Sequence, residues 1–180
     1  SVQEMADLTV KAFELAHRYR MPAMILADGT MGQMMEPVVL PEEKPIEVDA
    51  SDWAAVGTEG KRKHHVISSL YLQPEVLEKY NFERYERYEK VKENETAWEE
   101  YQMEDAEICV VAHGITARIA RNAIVMARAE GIKVGMIRPI TLWPFPEKAL
   151  AAAADKVNSF VCVEMNMGQM KVDVELAIRC

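Results

Sequence analysis

The stretch that decides the fold is EICVVAHGITARIARNAIVMARAEGIKVGMIRP, Glu107 to Pro139. Ile108 to Ala112 is an unbroken apolar run of strand length, the pattern of a strand covered on both faces. His113-Gly114-Ile115-Thr116 turns the chain, and Thr116 is placed to cap a helix. Ile119, Ala120, Ala123, Ile124 and Ala127 then recur at helical spacing, with Arg118, Arg121 and Arg128 off that face. Gly131 ends the helix, and Ile132 to Ile137 reads as a second strand.

The alternation continues downstream. Pro144 and Pro146 introduce a helix over Glu147 to Lys156, Phe160 to Val163 reads as a third strand, and a helix follows from about Gln169. Strand and helix in strict turn predict an α/β fold: a parallel sheet with flanking helices and right-handed crossovers. In such a sheet, ligands and partners meet the carboxyl ends of the strands. Three turns fall there: His113-Gly114, Arg138-Pro139, and Glu164 to Gly168. Gln169 and Met170 open a helix whose first N–H groups need acceptors, and Glu164 or Asn166 is placed to supply one. Gly114, Thr116 and Arg118 form a weaker candidate for an anion, because the GxGxxG spacing is missing.

Upstream, Ser1 and Glu4 form a capping box, and Val2 to Tyr19 carries apolar residues on one helical face. Ala23 to Ala27 is a short apolar strand broken by Asp28-Gly29-Thr30. A lone strand needs neighbours, so residues 1–40 read as the tail of a larger α/β domain. Pro37 to Pro45 has linker composition, and residues 46–73 read as an extended loop with a short strand at His65 to Leu70. Pro74 to about Glu100 is a charged helix with a stripe of Tyr85, Tyr88, Val91, Trp98 and Tyr101, which packs on its own domain or docks on a partner. The division is 1–40, then 41–104 as linker, loop and charged helix, then 105–180 as the sheet domain. Both ends look cut from a longer chain.

Two further motifs need weighing. Met-Gly-Gln-Met occurs at Met31 to Met34 and again at Met167 to Met170, each time after an apolar run that ends in an acid; in a chain with 12 methionines, coincidence on top of related architecture accounts for it. GTEGKRKHH, Gly57 to His65, is not a P-loop, because its glycines are too close and Lys61 is followed by Arg62. It remains a basic loop open to a neighbouring chain or an anionic ligand.

Composition narrows the function. A chain of 180 residues with net charge -8 lacks the basic surface of a nucleic-acid binder, and no apolar run is long enough for a membrane helix. Cys109 and Cys162 lie in apolar runs and Cys180 stands apart, the pattern of buried thiols in a reducing, cytoplasmic setting. There is no CxxC pair, no metal-ligand set and no catalytic triad or carboxylate pair. On residues alone, the chain is an α/β piece with a polar rim and no complete active site.

Three segments carry a resemblance. EDAEICVVAHGITARIARNAI, EGIKVGMIRPITLWPFPEKAL and FVCVEMNMGQMKVDVELA resemble the C-terminal region of the α subunit of 2-oxoacid:ferredoxin oxidoreductases. RPITLWPFP and EMNMGQM are most similar to the 2-oxoisovalerate (3-methyl-2-oxobutanoate) type. SLYLQPEVLEKYNFERYERY and PAMILADGTMGQMMEP fit as well, so the resemblance covers nearly all of the chain.

The resemblance implies that residues 1–40 end a pyrimidine-binding, thiamine-type domain and that the last segment is a transketolase C-terminal-like domain, truncated at its end. It implies oxidative decarboxylation of a branched-chain 2-oxoacid with coenzyme A, giving acyl-CoA, CO2 and reduced ferredoxin. Thiamine diphosphate and magnesium would sit with a thiamine-binding β subunit, and iron–sulfur clusters on a ferredoxin-like subunit. The catalytic residues of that family lie earlier in the pyrimidine domain, so none is assigned here. Asp28, Arg138, Glu164, Asn166 and Gln169 are expected at contacts between domains or subunits. The alternative is a stand-alone binding or assembly module that uses the Tyr-rich helix.

Overall fold

The computed structural model describes residues 1–42, 51 and 53–179. Cys180 and parts of the Pro37–Pro45 and 46–73 segments therefore lie outside the described residues. The chain divides into two units, Ser1–Ile25 with Glu36–Tyr88, and Leu26–Met35 with Glu89–Cys180.

In the second unit, four strands form one sheet: β1 (Trp98–Tyr101), β2 (Ile108–Ala112), β3 (Val134–Pro139) and β4 (Ser159–Val163). Their order is β1-β3-β2-β4. β2 runs parallel to β3 and β4. Helix α4 (Gly114–Ala129) leaves β2 for β3, α5 (Glu147–Ala154) links β3 to β4, and α6 (Gln169–Ile178) follows β4.

Alternation along the strands sorts the core. Val110, Ala112, Val134 and Met136 point to one face and pack under Ala117, Ala120 and Ile124 of α4. Cys109, Val111 and Ile137 point to the other, under Leu150 and Ala153 of α5 and Met170, Val174 and Ala177 of α6. Full burial of a side chain such as Leu150 or Ile137 contributes about 1.5–3 kcal/mol. The chain leaves β2 over one face and returns past it over the other, so the strand order reverses at β2 and β4.

Three expectations about this unit are corrected. The sheet is mixed, because β1 pairs antiparallel with β3, Trp98 opposite Pro139 and Tyr101 opposite Met136. The charged helix, expected to reach Glu100, is α3 (Pro74–Glu95) and stops short. Near its end Asn94 and Thr96 side chains turn back onto the carbonyls of Lys90 and Lys92, both at 2.7 Å, and β3 captures the residues that follow. Trp98 and Tyr101 therefore do not extend the stripe of Tyr85 and Tyr88. The predicted α4 face also shifts: Ala117, Ala120 and Ile124 are buried, while Ile119 is 60% exposed and Ala123 is exposed.

The RPITLWPFP segment ties β1 to the end of β3. Ile140 and Thr141 N–H groups donate to Ala97 O at 2.9 and 3.1 Å. Ala97 N–H donates to Thr141 Oγ1 at 3.0 Å, and that hydroxyl donates to Pro144 O at 2.7 Å.

The first unit contains α1 (Val2–Tyr19), with the Ser1 cap formed: Glu4 N–H donates to Ser1 Oγ at 3.2 Å. α1 buries no residue, and Phe13 is 67% exposed. The strand expected at Ala23 to Ala27 is not formed, nor is the one at His65 to Leu70. A strand exists only through its ladder, and among the described residues neither run has a pairing partner; Met24 is 83% exposed.

Candidate functional site

The rim formed by the carboxyl ends of β2 and β4 is where this architecture presents polar groups. Its chemistry is set by two carboxylates, Glu164 and Asp28, and by amides of the chain itself. Glu164, just past β4, accepts from Met170 N–H through Oε2 and from Lys171 N–H through Oε1, both at 2.9 Å. One carboxylate thus satisfies two of the orphan donors that open α6, where the helix dipole also favours negative charge. Asn166 Oδ1 accepts from Gly168 N–H at 2.8 Å, closing the turn. Gly168 sits at φ +93°, a conformation that disfavours a side chain, and so lets the chain enter α6 at this angle.

At the end of β2, Thr116 is not the cap. α4 begins at Gly114 with His113 before it, and Thr116 is buried, its hydroxyl donating to His113 O at 2.6 Å. A carboxylate of the chain itself, Asp28, lies near this end. Asp28 Oδ1 accepts from Met31 N–H at 2.8 Å and caps α2 (Gly29–Gln33). A Cβ on Gly114 would stand 3.8 Å from Asp28 Oδ2. Arg118 lies one turn on, exposed.

The structure therefore separates the predicted rim residues. Glu164, Asn166 and Gln169 share one turn, and Asp28 stands beside Gly114. Arg138 is on β3, with β2 between it and β4. Its Nε donates to Glu99 Oε2 at 2.9 Å. Glu99 also accepts from Arg121 of α4, whose guanidinium lies 4.8 Å from the centroid of the Tyr101 ring. Burial pushes the Glu99 carboxyl up, but the hydrogen bonds from Arg121 and Arg138 outweigh it and hold the group below the usual carboxylate range. Sequence reasoning missed Glu99, Arg121 and Tyr101 as a set because it placed Trp98–Tyr101 in a helix. The Trp-Glu-Glu-Tyr pattern carries no helix cap or strand alternation to mark the change.

The two Met-Gly-Gln-Met copies also part company. Met31, the first residue of one copy, and Met170, the last of the other, are the buried methionines that take the carboxylate caps. Gly32 lies inside α2, whereas Gly168 precedes α6. Equal letters play unequal parts.

This arrangement shapes and holds turns. Among the described residues, no three His, Cys, Asp or Glu side chains gather as a metal site. At the start of α6, Glu164 already occupies the Met170 and Lys171 N–H groups. Among the described residues, no helix is long and apolar enough to cross a membrane.

Comparison with known proteins agrees in both halves. Residues 1–105 match the family model of pyruvate flavodoxin/ferredoxin oxidoreductase, thiamine diphosphate-binding. Residues 106–180 match pyruvate:ferredoxin oxidoreductase core domain II. The chain is 47% identical over 180 residues to ketoisovalerate oxidoreductase subunit VorB of Methanothermobacter marburgensis, covering 100% of this chain and 51% of that one. It is 34% identical to 2-oxoglutarate synthase subunit KorA of Methanocaldococcus jannaschii, over 97% of this chain and 53% of that one. The chain thus spans about half the length of the curated relatives it matches. A solved structure, 2-oxoglutarate:ferredoxin oxidoreductase from Magnetococcus marinus with 2-oxoglutarate, coenzyme A and succinyl-CoA bound, has the same fold. Its TM-score is 0.72 at 21% identity, over 96% of this chain and 34% of that one.

Proposed function

Because the chain belongs to the pyruvate flavodoxin/ferredoxin oxidoreductase family, we propose that it forms part of the α subunit of a 2-oxoacid:ferredoxin oxidoreductase. The reaction is oxidative decarboxylation: a 2-oxoacid and coenzyme A give acyl-CoA and CO2, and two electrons pass to ferredoxin. The observation that carries this reading is that two family matches cover the chain end to end, 1–105 and 106–180.

A branched-chain 2-oxoacid is the substrate we favour. The 47% identity to a ketoisovalerate oxidoreductase subunit, against 34% to a 2-oxoglutarate synthase subunit, supports it. Thiamine diphosphate, magnesium, iron–sulfur clusters and coenzyme A belong to the assembled cytoplasmic enzyme, with a thiamine-binding β subunit and a ferredoxin-like subunit as partners. We divide the chain into the tail of a pyrimidine-binding domain (1–40), a connecting segment (41–104) and a transketolase C-terminal-like domain (105–180).

The part of this span is structural: it completes the fold and presents turns to neighbouring domains or subunits. Asn166 and Gln169, exposed on the β4–α6 turn, make those contacts. Asp28, Glu164 and Arg138 shape the surfaces from behind through the caps and the ion pair described above.

The test is reduction of ferredoxin or viologen by the full complex with several 2-oxoacids. We expect coenzyme A-dependent reduction, highest in kcat/KM with 3-methyl-2-oxobutanoate. Absence of such reduction with every 2-oxoacid overturns the reading.

A further inference from the structure

The basic loop that matched no phosphate-binding motif is a built object. Its root is Trp53, which lies under the Arg20 guanidinium, 3.5 Å from the ring centroid, and beside His17 at 6.2 Å. Its neck closes at Ala54, whose carbonyl accepts from His65 Nδ1 at 3.3 Å and from Arg62 Nη2 at 3.2 Å. Arg62 also donates to Gly57 O at 2.8 Å and Lys63 O at 3.1 Å. Gly57 and Gly60 take φ of +83° and +71° at the tip, and Lys61 N–H donates to Thr58 O at 2.8 Å. Twelve residues whose ends touch and whose own side chains fill the middle make an Ω-loop, a class of loop often given to function.

The loop divides its basic residues by direction. Arg62 and His65 turn inward and hold the frame; Lys61, Lys63 and His64 are exposed. Lys61 is paired with Glu59 at 2.6 Å. Next to these basic side chains stand exposed apolar ones: Val56 at 78%, Val66 at 87% and Ile67 at 73%. A loop tied by its own hydrogen bonds that shows basic side chains around apolar groups has the anatomy of one side of a protein interface. Three basic residues against one acid between Gly57 and His65, on a chain of net charge -8, also make the loop a positive island.

We propose that the loop Ala54–His65, with Val66 and Ile67, docks on a carboxylate-rich protein surface of another subunit in the assembly. Lys63 and His64 meet the carboxylates, and the flanking apolar side chains lose water against that subunit. The commitment to a subunit rests on the α-subunit reading above. The loop's own hydrogen bonds and sign of charge do not.

The test uses the full α chain and the other subunits of the purified complex, with association followed by surface plasmon resonance at low and high salt. Charge reversal is Lys63→Glu with His64→Glu; the neutral control is Lys63→Gln with His64→Gln. Both pairs change exposed side chains, and an unchanged melting temperature verifies the fold. For the wild type, the association rate is expected to fall as salt rises. Charge reversal is expected to slow association about tenfold at low salt and to flatten the salt dependence, with the neutral pair between.

Wild-type rates and salt dependence in both variants overturn the proposal. So does charge-sensitive self-association of the α chain with no effect on the other subunits, or loss of tripolyphosphate or oligonucleotide binding with subunit association untouched. The readout needs no turnover. Charge-sensitive association in a complex inactive on every 2-oxoacid supports the docking loop and sinks the enzymatic reading; an active complex with charge-insensitive association does the reverse.

Discussion

Glu99 and Arg138 stand directly opposite each other on β1 and β3, and Arg138 Nε donates to Glu99 Oε2 at 2.9 Å. Arg121 of α4 joins the same carboxylate, so one acid ties the antiparallel edge strand both to its neighbour and to a helix.

That acid makes the edge pH-sensitive. Its folded pKa lies below the ordinary carboxyl value of 4.5. The stabilisation is therefore present above that value and lost as pH falls through the folded one. Glu99 is 37% exposed in its side chain, so solvent screening limits the effect to about 1 kcal/mol or less. Glu99→Gln is expected to cost that much at neutral pH and progressively less as pH falls through the folded pKa of Glu99. Urea unfolding of both proteins across that range checks it; a gap that persists in acid contradicts it.

The carboxylate on α6 gives a second prediction. Glu164→Ala removes both acceptors for Met170 and Lys171 N–H and is expected to cost about 1–2 kcal/mol. Glu164→Gln keeps an acceptor but not the charge and should cost less. Equal losses in the two variants, measured by thermal unfolding, would mean that the neutral acceptor contributes nothing at this turn, and no loss in Glu164→Gln would mean that the charge contributes nothing.

Gly135 of β3 has no room for a methyl group. A Cβ there would stand 2.4 Å from Gln102 O and 2.7 Å from Met103 Sδ. The thioether can move. The carbonyl is less free, because Arg128 Nη2 donates to it at 2.7 Å and Arg128 Nε to Val134 O at 2.8 Å. Gly135→Ala is expected to destabilise by about 1–3 kcal/mol, and a melting temperature equal to that of the wild type would show that the Gln102 turn yields.

The Cys109 thiol should be inert in the folded protein. Burial pushes Cys109 up to about 12, and burial also raises Cys162. At pH ~8 only about one Cys109 in ten thousand is thiolate, the reactive form. Iodoacetamide labelling read peptide by peptide should leave Cys109 unmodified until denaturant is added. Labelling as fast as in a free peptide would place Cys109 outside the core.

These particulars mark how far the sequence reaches. The apolar runs of β2, β3 and β4 and the helical spacing of α4 were legible because each follows from neighbours a few residues apart. The caps on α1 and α6 were legible for the same reason, since a carboxylate or hydroxyl next to a helix start has few other uses. Glu164 follows β4 and Arg138 lies near the end of β3, but Asp28 follows no strand, and Arg138 belongs with Glu99, not with Glu164.

By itself, the sequence determined the order of strands and helices in the last segment, the residues that line its two core faces along the strands, and, through the RPITLWPFP and EMNMGQM segments, the family. Local periodicity and turn chemistry suffice for these, because they depend on the 2.0 and 3.6 residue repeats of the chain. Only the tertiary structure decided that Trp98–Tyr101 is an antiparallel edge strand, that Asp28 stands beside Gly114, and that Arg62 and His65 fold the basic loop upon itself. Each of these rests on a partner distant in sequence or on the direction of a side chain, and a strand that finds no partner, as at Ala23 to Ala27, does not form.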